Sequence, residues 1–286
     1  MRKLVVTADD FGLAPEVNAA VETAHSDGIL SAASLMVGGA AVADALQRAR
    51  RLPGLAVGLH LVLVEGRPVS PPGEIPDLVG TDGRFRDDMV RMSFEMGASA
   101  RVRRQVEAEI AAQFDAFRQT GLRLDHVNAH KHFHLHPLIS RLVLAIGRDF
   151  GMRALRVPVE LKGVLERVEP GAGKGGRIEA LMGRRLRRQA SEAGLIVPDA
   201  VFGLAWSGAM TPARLEGLLR HCPDGRVEIY THPATADRFD GAAPGYRYRE
   251  ELAALCDPAC AQALAAMGAA PGGFLDRGAD PVAAAR

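Results

Sequence analysis

Two adjacent carboxylates, Asp9 and Asp10, stand at the end of a short apolar run over 3–7, and Gly12 follows. Two carboxylates this close repel each other as anions, so the pair calls for a nearby cation or a shared proton. In an extended chain successive side chains point to opposite faces. That predicts different work for the two: one ligates a metal while the other reaches bound water or substrate. An acidic turn capping the next helix is the plainer reading of the same residues. Four of the nine histidines, His130, His132, His134 and His136, fall at alternate positions. Extended, they would share one face. Neutral imidazole is a common ligand for divalent metals, so one or two of them are expected on a metal and the others along the pocket. His60 lies in an apolar segment, Gly58-Leu59-His60-Leu61, where a lone His is more often a core residue. Beside an acidic pair and a His cluster it becomes a further ligand candidate. One Asp with two His leaves coordination positions open for water and substrate. Such a centre lowers the pKa of bound water and polarises a carbonyl, which makes hydrolysis the natural reaction class. His232, before Pro233, suits protonation of a departing amine, or is simply a turn histidine. Arg156 reads as a substrate hydrogen-bond donor or as half of an internal ion pair, with the site favoured.

The elements that must bring these residues together alternate. Short apolar strands are expected over 3–7, 29–37, 55–63, 124–129, 154–159, 200–206 and 227–231. Helices are expected over 16–27, 41–51, 101–120, 138–150, 177–193, 212–221 and 250–267. In 101–120, Val102, Val106, Ile110, Phe114 and Phe117 recur at helical spacing. Strand–helix repetition implies an α/β fold with a parallel sheet. Asp9, Asp10, His60, His130, Arg156 and His232 sit late in, or just after, several different strands. That is the arrangement of a TIM-barrel-like enzyme, with about seven strands closed or nearly closed. One domain is expected over 1–270, with a Pro- and Gly-rich insertion at about 65–100, a Gly-rich loop at 171–176 and a flexible tail over 271–286.

Composition narrows the function classes. A net charge of +1 gives no electrostatic case for nucleic acid. No apolar run approaches membrane-spanning length, and the start of the chain does not read as a signal peptide. The three cysteines, an odd count, fit a reducing compartment and read as inert thiols. The expected location is cytoplasmic. Met89, Met92 and Met96, with Phe94, form either an adaptable apolar surface near the site mouth or gap fillers beneath the insertion. Arg184, Arg185, Arg187 and Arg188 read as a solvated helix face or as a contact for anionic headgroups.

The combination resembles the YdjC-like carbohydrate deacetylases. Thr7-Ala8-Asp9-Asp10-Phe11-Gly12-Leu13, Gly58-Leu59-His60-Leu61, Asn128-Ala129-His130-Lys131-His132-Phe133-His134 and Thr231-His232-Pro233 carry the resemblance across nearly the whole chain. It implies a distorted (β/α) barrel and removal of N-acetyl groups from sugars such as chitooligosaccharides, with one divalent metal ion, Zn²⁺ or Mg²⁺. Asp10, His60 and His130 would ligate the metal. Asp9 would be the general base and His232 the acid. From the residues themselves, His132, His134 and Arg156 are expected on the substrate. The family often has a Gly after the late His-Pro pair, where this chain has Ala234. Segments 62–69, 127–137 and 156–158 look most like the hopanoid-biosynthesis-associated members. That implies an N-acetylglucosaminyl glycolipid as substrate, with peripheral membrane contact at the inner membrane and a homodimer as further expectations. The alternatives are a deacetylase of soluble chitooligosaccharides, a phosphoesterase, or a metal- or sugar-binding protein on the same fold.

Overall fold

β1 (Lys3–Phe11) is buried from Leu4 onward and occupies the middle of a six-stranded sheet. Its neighbours are β2 (Ala32–Leu35) and β6 (Arg226–Thr231), then β3 (Ala56–Leu61), β4 (Val127–Ala129) and, beside β6, β5 (Ala200–Phe202). Every pairing is parallel. This is a computed structural model, and it describes residues 2–173 and 177–275. The fifth of the seven expected strands, 154–159, is extended but makes only single bridges. Leu155 pairs with Val127, the Arg156 N–H donates to Val127 O at 2.9 Å, and the Val201 N–H donates to Val159 O at 3.0 Å. This segment therefore joins β4 to β5, and the sheet is an irregularly closed, distorted barrel.

The helices are α1 (Pro15–Ser26), α2 (Val42–Arg51), α3 (Met89–Ala98), α4 (Ala100–Gln119), α5 (Pro137–Asp149), α6 (Lys162–Val168), α7 (Arg177–Glu192), α8 (Pro212–Arg220), α9 (Tyr248–Leu255) and α10 (Pro258–Ala266). Four of them open on Pro, whose fixed φ and missing N–H suit a first helical turn. The single helix expected over 250–267 is broken into α9 and α10. Pro258 cannot continue α9, and Asp257 caps the new helix by accepting from the Ala259 N–H at 2.7 Å. The Pro- and Gly-rich insertion nonetheless contains a helix, α3, N-capped by Asp88. Met92 and Met96 are buried under it, so they are packing residues, whereas Phe94 is 78% exposed.

Alternation along β1 separates two interiors. Leu4, Val6 and Ala8 pack in the main core, while Val5 joins Ala32, Ala154, Phe274 and Leu275 in a second cluster. The tail expected to be loose from Pro271 is in fact seated as far as Leu275. Pro271 bridges to Leu4, the Gly272 N–H donates to Leu4 O at 3.0 Å, and Phe274 is fully buried. The remainder of that tail, 276–286, and positions 174–176 of the Gly-rich loop lie outside the described residues.

The helical spacing of α4 hides a second, polar stripe at i, i+4 and i+8: Gln105, Glu109 and Gln113, all buried. Gln113 accepts from the Val62 N–H at 2.9 Å and donates to Val62 O at 2.6 Å. Glu109 accepts from the N–H groups of Val69 and Ser70, both at 2.9 Å, and Gln105 accepts from the Asp77 N–H at 2.9 Å. These side chains pin the start of the insertion to the barrel. Glu109→Ala strands two backbone donors, each costing about 1–3 kcal/mol if left unpaired. It is therefore expected to lower the urea midpoint by an amount equivalent to about 2 kcal/mol or more; an unchanged midpoint would show that the insertion is held some other way.

Candidate functional site

Asp10 has φ 63°, in the left-handed region that Asp tolerates better than most residues. The register of β1 against β2 shifts between Ala8 and Phe11, so Asp9 and Asp10 together oppose one residue. This is a bulge, and it corrects the expectation that the two carboxylates point to opposite faces. Both line one cavity of about 660 Å³.

Asp10 meets two imidazoles. Its Oδ1 lies 3.2 Å from His60 Nε2 and 3.2 Å from His130 Nδ1. Among the described residues, these three form the one group of His, Cys, Asp and Glu donors that lie mutually within 4.8 Å. His60 Nε2 is buried and, despite its distance from Asp10, makes no hydrogen bond. A lone-pair nitrogen facing a carboxylate oxygen is a place for a cation, and one carboxylate with two imidazoles is a fitting donor set for a divalent metal. Burial opposes the charge on Asp10, but His130 and His60 outweigh it and hold the carboxyl well below the ordinary range. Burial also disfavours protonated His130, yet Asp10 and Glu65 raise it to about 9. Glu65, which the sequence reading placed only at the start of the insertion, lies 3.9 Å from His130 Nε2 and pairs with Lys131.

Asp9 is held by different partners. Arg156 donates from Nη1 to Oδ2 at 2.5 Å and from Nη2 to Oδ1 at 3.0 Å. The same guanidinium reaches Glu228 Oε1 from Nε at 2.9 Å and from Nη2 at 2.6 Å. Arg156 is fully buried. The expectation that it binds substrate is therefore corrected: it positions Asp9. Burial opposes the Asp9 charge, and Arg156 more than compensates, so the carboxylate stays ionised far below neutral pH. Asn128 Nδ2 donates to Asp9 Oδ1 at 3.1 Å. Its Oδ1 therefore faces His60 Nδ1, at 2.7 Å, and must accept from it. This fixes the proton on Nδ1 and leaves Nε2 as the lone-pair atom, as when a metal-ligating His donates its other ring N–H to a neighbouring carbonyl.

The histidines after β4 do not share a face. They wind through a 3-10 turn, His130–Leu135, with positive φ at Lys131 and His132. His132 lines the cavity and bonds Tyr230 Oη through Nε2 at 2.9 Å. Burial, and then Arg156, push its pKa well down, so it is neutral. His134 is buried behind the wall, with Nε2 2.8 Å from Arg156 O, and does not line the cavity. The substrate contact expected of it is corrected to a structural one. His136 caps α5. His232 lines the cavity; its N–H donates to Glu251, whose carboxylate lies 3.9 Å from His232 Nδ1. Burial raises the Glu251 pKa. Tyr230, Tyr246 and Tyr248, all three tyrosines of the chain, line the same cavity. The sequence carried a signal for Glu228 and Tyr230: with His232 they alternate along β6, the period of one strand face.

A metal must displace the His130 proton, because only the neutral imidazole ligates. The raised pKa means that the proton is present below about 9. Affinity for Zn²⁺ is therefore expected to rise as pH increases toward 9, with a proton released per ion bound. Calorimetry in buffers of different ionisation enthalpy checks this; pH-independent affinity without proton release would contradict it.

Comparison with known proteins places this geometry in a family. Over 157 residues the chain is 38% identical to a carbohydrate deacetylase of Brevibacillus brevis, covering 55% of this chain and 58% of that protein. A carbohydrate deacetylase of Vibrio cholerae is 34% identical over 52% of this chain and 56% of its own length. The matched part thus spans little more than half of these curated relatives. A carbohydrate deacetylase of Geobacillus stearothermophilus is 29% identical over 93% of this chain and 94% of its own. A crystal structure of an Enterococcus faecalis V583 protein named for cellobiose-phosphate cleavage superposes with a TM-score of 0.75 at 23% identity, covering 96% of this chain and 97% of that one, a likeness of fold. The family model described as YdjC-like protein matches residues 3–266, and the chain belongs to that family.

Proposed function

We propose that this protein is a metal-dependent carbohydrate N-deacetylase that cleaves the acetamide of an N-acetylglucosaminyl substrate. The observation that carries the reading is the convergence of Asp10, His60 and His130 beside an Arg156-held Asp9 at the wall of one cavity. The deacetylase names of its relatives support the same reaction class. Two imidazoles and a carboxylate suit Zn²⁺ better than Mg²⁺. A divalent ion held by Asp10, His60 and His130 would lower the pKa of bound water and polarise the amide carbonyl.

The chain's own groups supply the rest. Asp9, kept ionised and oriented by Arg156 and Asn128, takes the proton of the attacking water as it adds to the acetamide carbon. His232 gives a proton to the nitrogen as the C–N bond breaks, releasing acetate and the free amine. Glu251 holds the His232 backbone and disfavours its displacement. Neutral His132 and the phenol of Tyr230 offer hydrogen bonds to sugar hydroxyls. Two-metal phosphoester chemistry is less well supported, because Asp9 is committed to Arg156 and leaves one carboxylate among the three converging donors.

The sugar is proposed to be carried on an apolar aglycone, such as a hopanoid. The insertion walls the cavity through Asp82, Arg84 and Phe85, and the adjoining α3 exposes Val90 and Phe94. No helix among the described residues is long and apolar enough to cross a membrane. The contact is proposed to be peripheral, and the location cytoplasmic. The basic stretch of α7 fits that contact: Arg184, Arg185 and Arg188 are exposed, with Ile178 and Leu181 exposed before them, while Arg187 is tied to Asp199 O at 3.1 Å.

Acetate release by Zn²⁺-loaded protein, measured in parallel on an N-acetylglucosaminyl hopanoid and on diacetylchitobiose, tests the proposal. Turnover on the lipid is the expected result. Turnover on the soluble sugar alone would keep the deacetylase and remove the aglycone; silence on both, with Zn²⁺ bound, would overturn the reading. Asp9→Asn is expected to retain Zn²⁺ and lose about a hundredfold or more in kcat, whereas Asp10→Ala should lose the ion. Loss of Zn²⁺ from Asp9→Asn would reverse the two assignments.

A further inference from the structure

The strap 271–275 lies beyond the part of the chain that the family match spans, yet it is linked to the metal-site residues by an unbroken run of buried hydrogen bonds. Phe274 stacks on His126 with ring centroids 4.4 Å apart and planes at 19°. The N–H groups of Phe274 and Leu275 donate to Asp125 Oδ2 at 2.8 Å and Oδ1 at 3.1 Å. Asp125 in turn accepts from His126 Nδ1 at 3.0 Å. In the tautomer that carries this proton on Nδ1, Nε2 is the lone-pair atom, and it lies 2.9 Å from Ser34 Oγ. Ser34 therefore donates there and uses its own lone pair to accept from Asn128 Nδ2 at 2.8 Å. Asn128 spends its other amide proton on Asp9 and its carbonyl on His60. Each donor and acceptor is used in one sense only, so the orientation set at Asp125 is carried to His60.

Two glycines show how closely the run is built. A Cβ at Gly58 would lie 2.5 Å from His126 Cε1 and from His126 O. A Cβ at Gly273 would lie 2.5 Å from Asp125 Oδ1 and 2.7 Å from Ala56 Cβ. Asp125, His126, Ser34 and Asn128 are all buried. None faces the cavity, so none is placed to touch substrate.

We propose that Ser34, His126 and Asp125, seated by the strap 271–275, are positioning residues that hold the Asn128 amide in the one orientation that directs the His60 Nε2 lone pair toward Asp10. The inference rests on the metal-site reading above. Without the Ser34 hydroxyl, one amide hydrogen of Asn128 loses its acceptor and the amide loses what distinguishes its two ends apart from Asp9. His60 is then free to take the other tautomer, with a proton where a metal would bind.

The test is the Zn²⁺ affinity of the full chain by competition with a chromogenic chelator, with thermal melting of the metal-free protein alongside. Ser34→Ala is expected to weaken Zn²⁺ binding about tenfold or more, the scale of loss when a group that orients a ligating His is removed. In an Asn128→Ala background the same substitution should change affinity by less than about twofold, because the effect passes through Asn128. Phe274→Ala should weaken Zn²⁺ binding in the same direction; should it fail to fold, the Ser34 cycle stands alone. Equal Zn²⁺ affinity in wild type and Ser34→Ala would overturn the proposal, as would losses in Ser34→Ala that persist undiminished without Asn128. Failure of the wild-type protein to bind Zn²⁺ would instead defeat the metal-site reading beneath it.

Discussion

A guanidinium with no exposure to water sits between two carboxylates, and the site depends on it. Arg156 bridges Asp9 and Glu228 and packs over the Tyr230 ring, its Cζ 4.5 Å from the centroid. A buried charge costs several kcal/mol unless it is paired and hydrogen-bonded. Here the Arg makes four such bonds to the two acids, and Thr7 Oγ1 adds one to Glu228 at 2.8 Å. The barrel can therefore carry an ionised Asp9 in its interior. Since the guanidinium satisfies Asp9, the second carboxylate, Asp10, is left to the two imidazoles. The acidic pair is thus divided by its partners: Asp9 belongs to an arginine, and Asp10 to two imidazoles.

The backbone makes that division usable. An ordinary strand would turn one of the two carboxylates away from the cavity. The bulge between Ala8 and Phe11, with Asp10 in the left-handed region, brings both to one wall. The irregular closure of the barrel serves the same end. Segment 154–159 has too few ladder bonds to count as a regular strand, yet its bridge to Val127 places Arg156 opposite Asn128 and Asp9. Local irregularity at both places accompanies the charged residues of the site, where departures from regular geometry are expected.

Much of this was legible in the sequence. Alternating apolar strands and amphipathic helices announced a parallel barrel, and polar residues late in several strands marked one end of it. The metal candidates Asp10, His60 and His130 do converge. Other features depend on long-range partners that no local pattern encodes. Arg156 looks the same in sequence whether it meets substrate or Asp9; only its burial decides. His134 and His132 are two residues apart, but the left-handed turn at Lys131 and His132 sends one behind the wall and keeps the other at the cavity. The stripe of Gln105, Glu109 and Gln113 was masked by the stronger apolar period beside it. Phe274 sits in a stretch whose Gly, Pro and Ala content suggests a loose tail, yet it is buried with Val5, Ala32 and Ala154, distant partners that composition does not reveal.

The proposed chemistry requires a single divalent ion among Asp10, His60 and His130, with Asp9 kept by Arg156. Anomalous diffraction at the zinc edge from Zn²⁺-loaded crystals measures this directly. One strong peak is expected within bonding distance of Asp10, His60 and His130, with both Arg156–Asp9 hydrogen bonds intact. A peak ligated by Asp9, or a zinc ion bound away from these three residues, would contradict it.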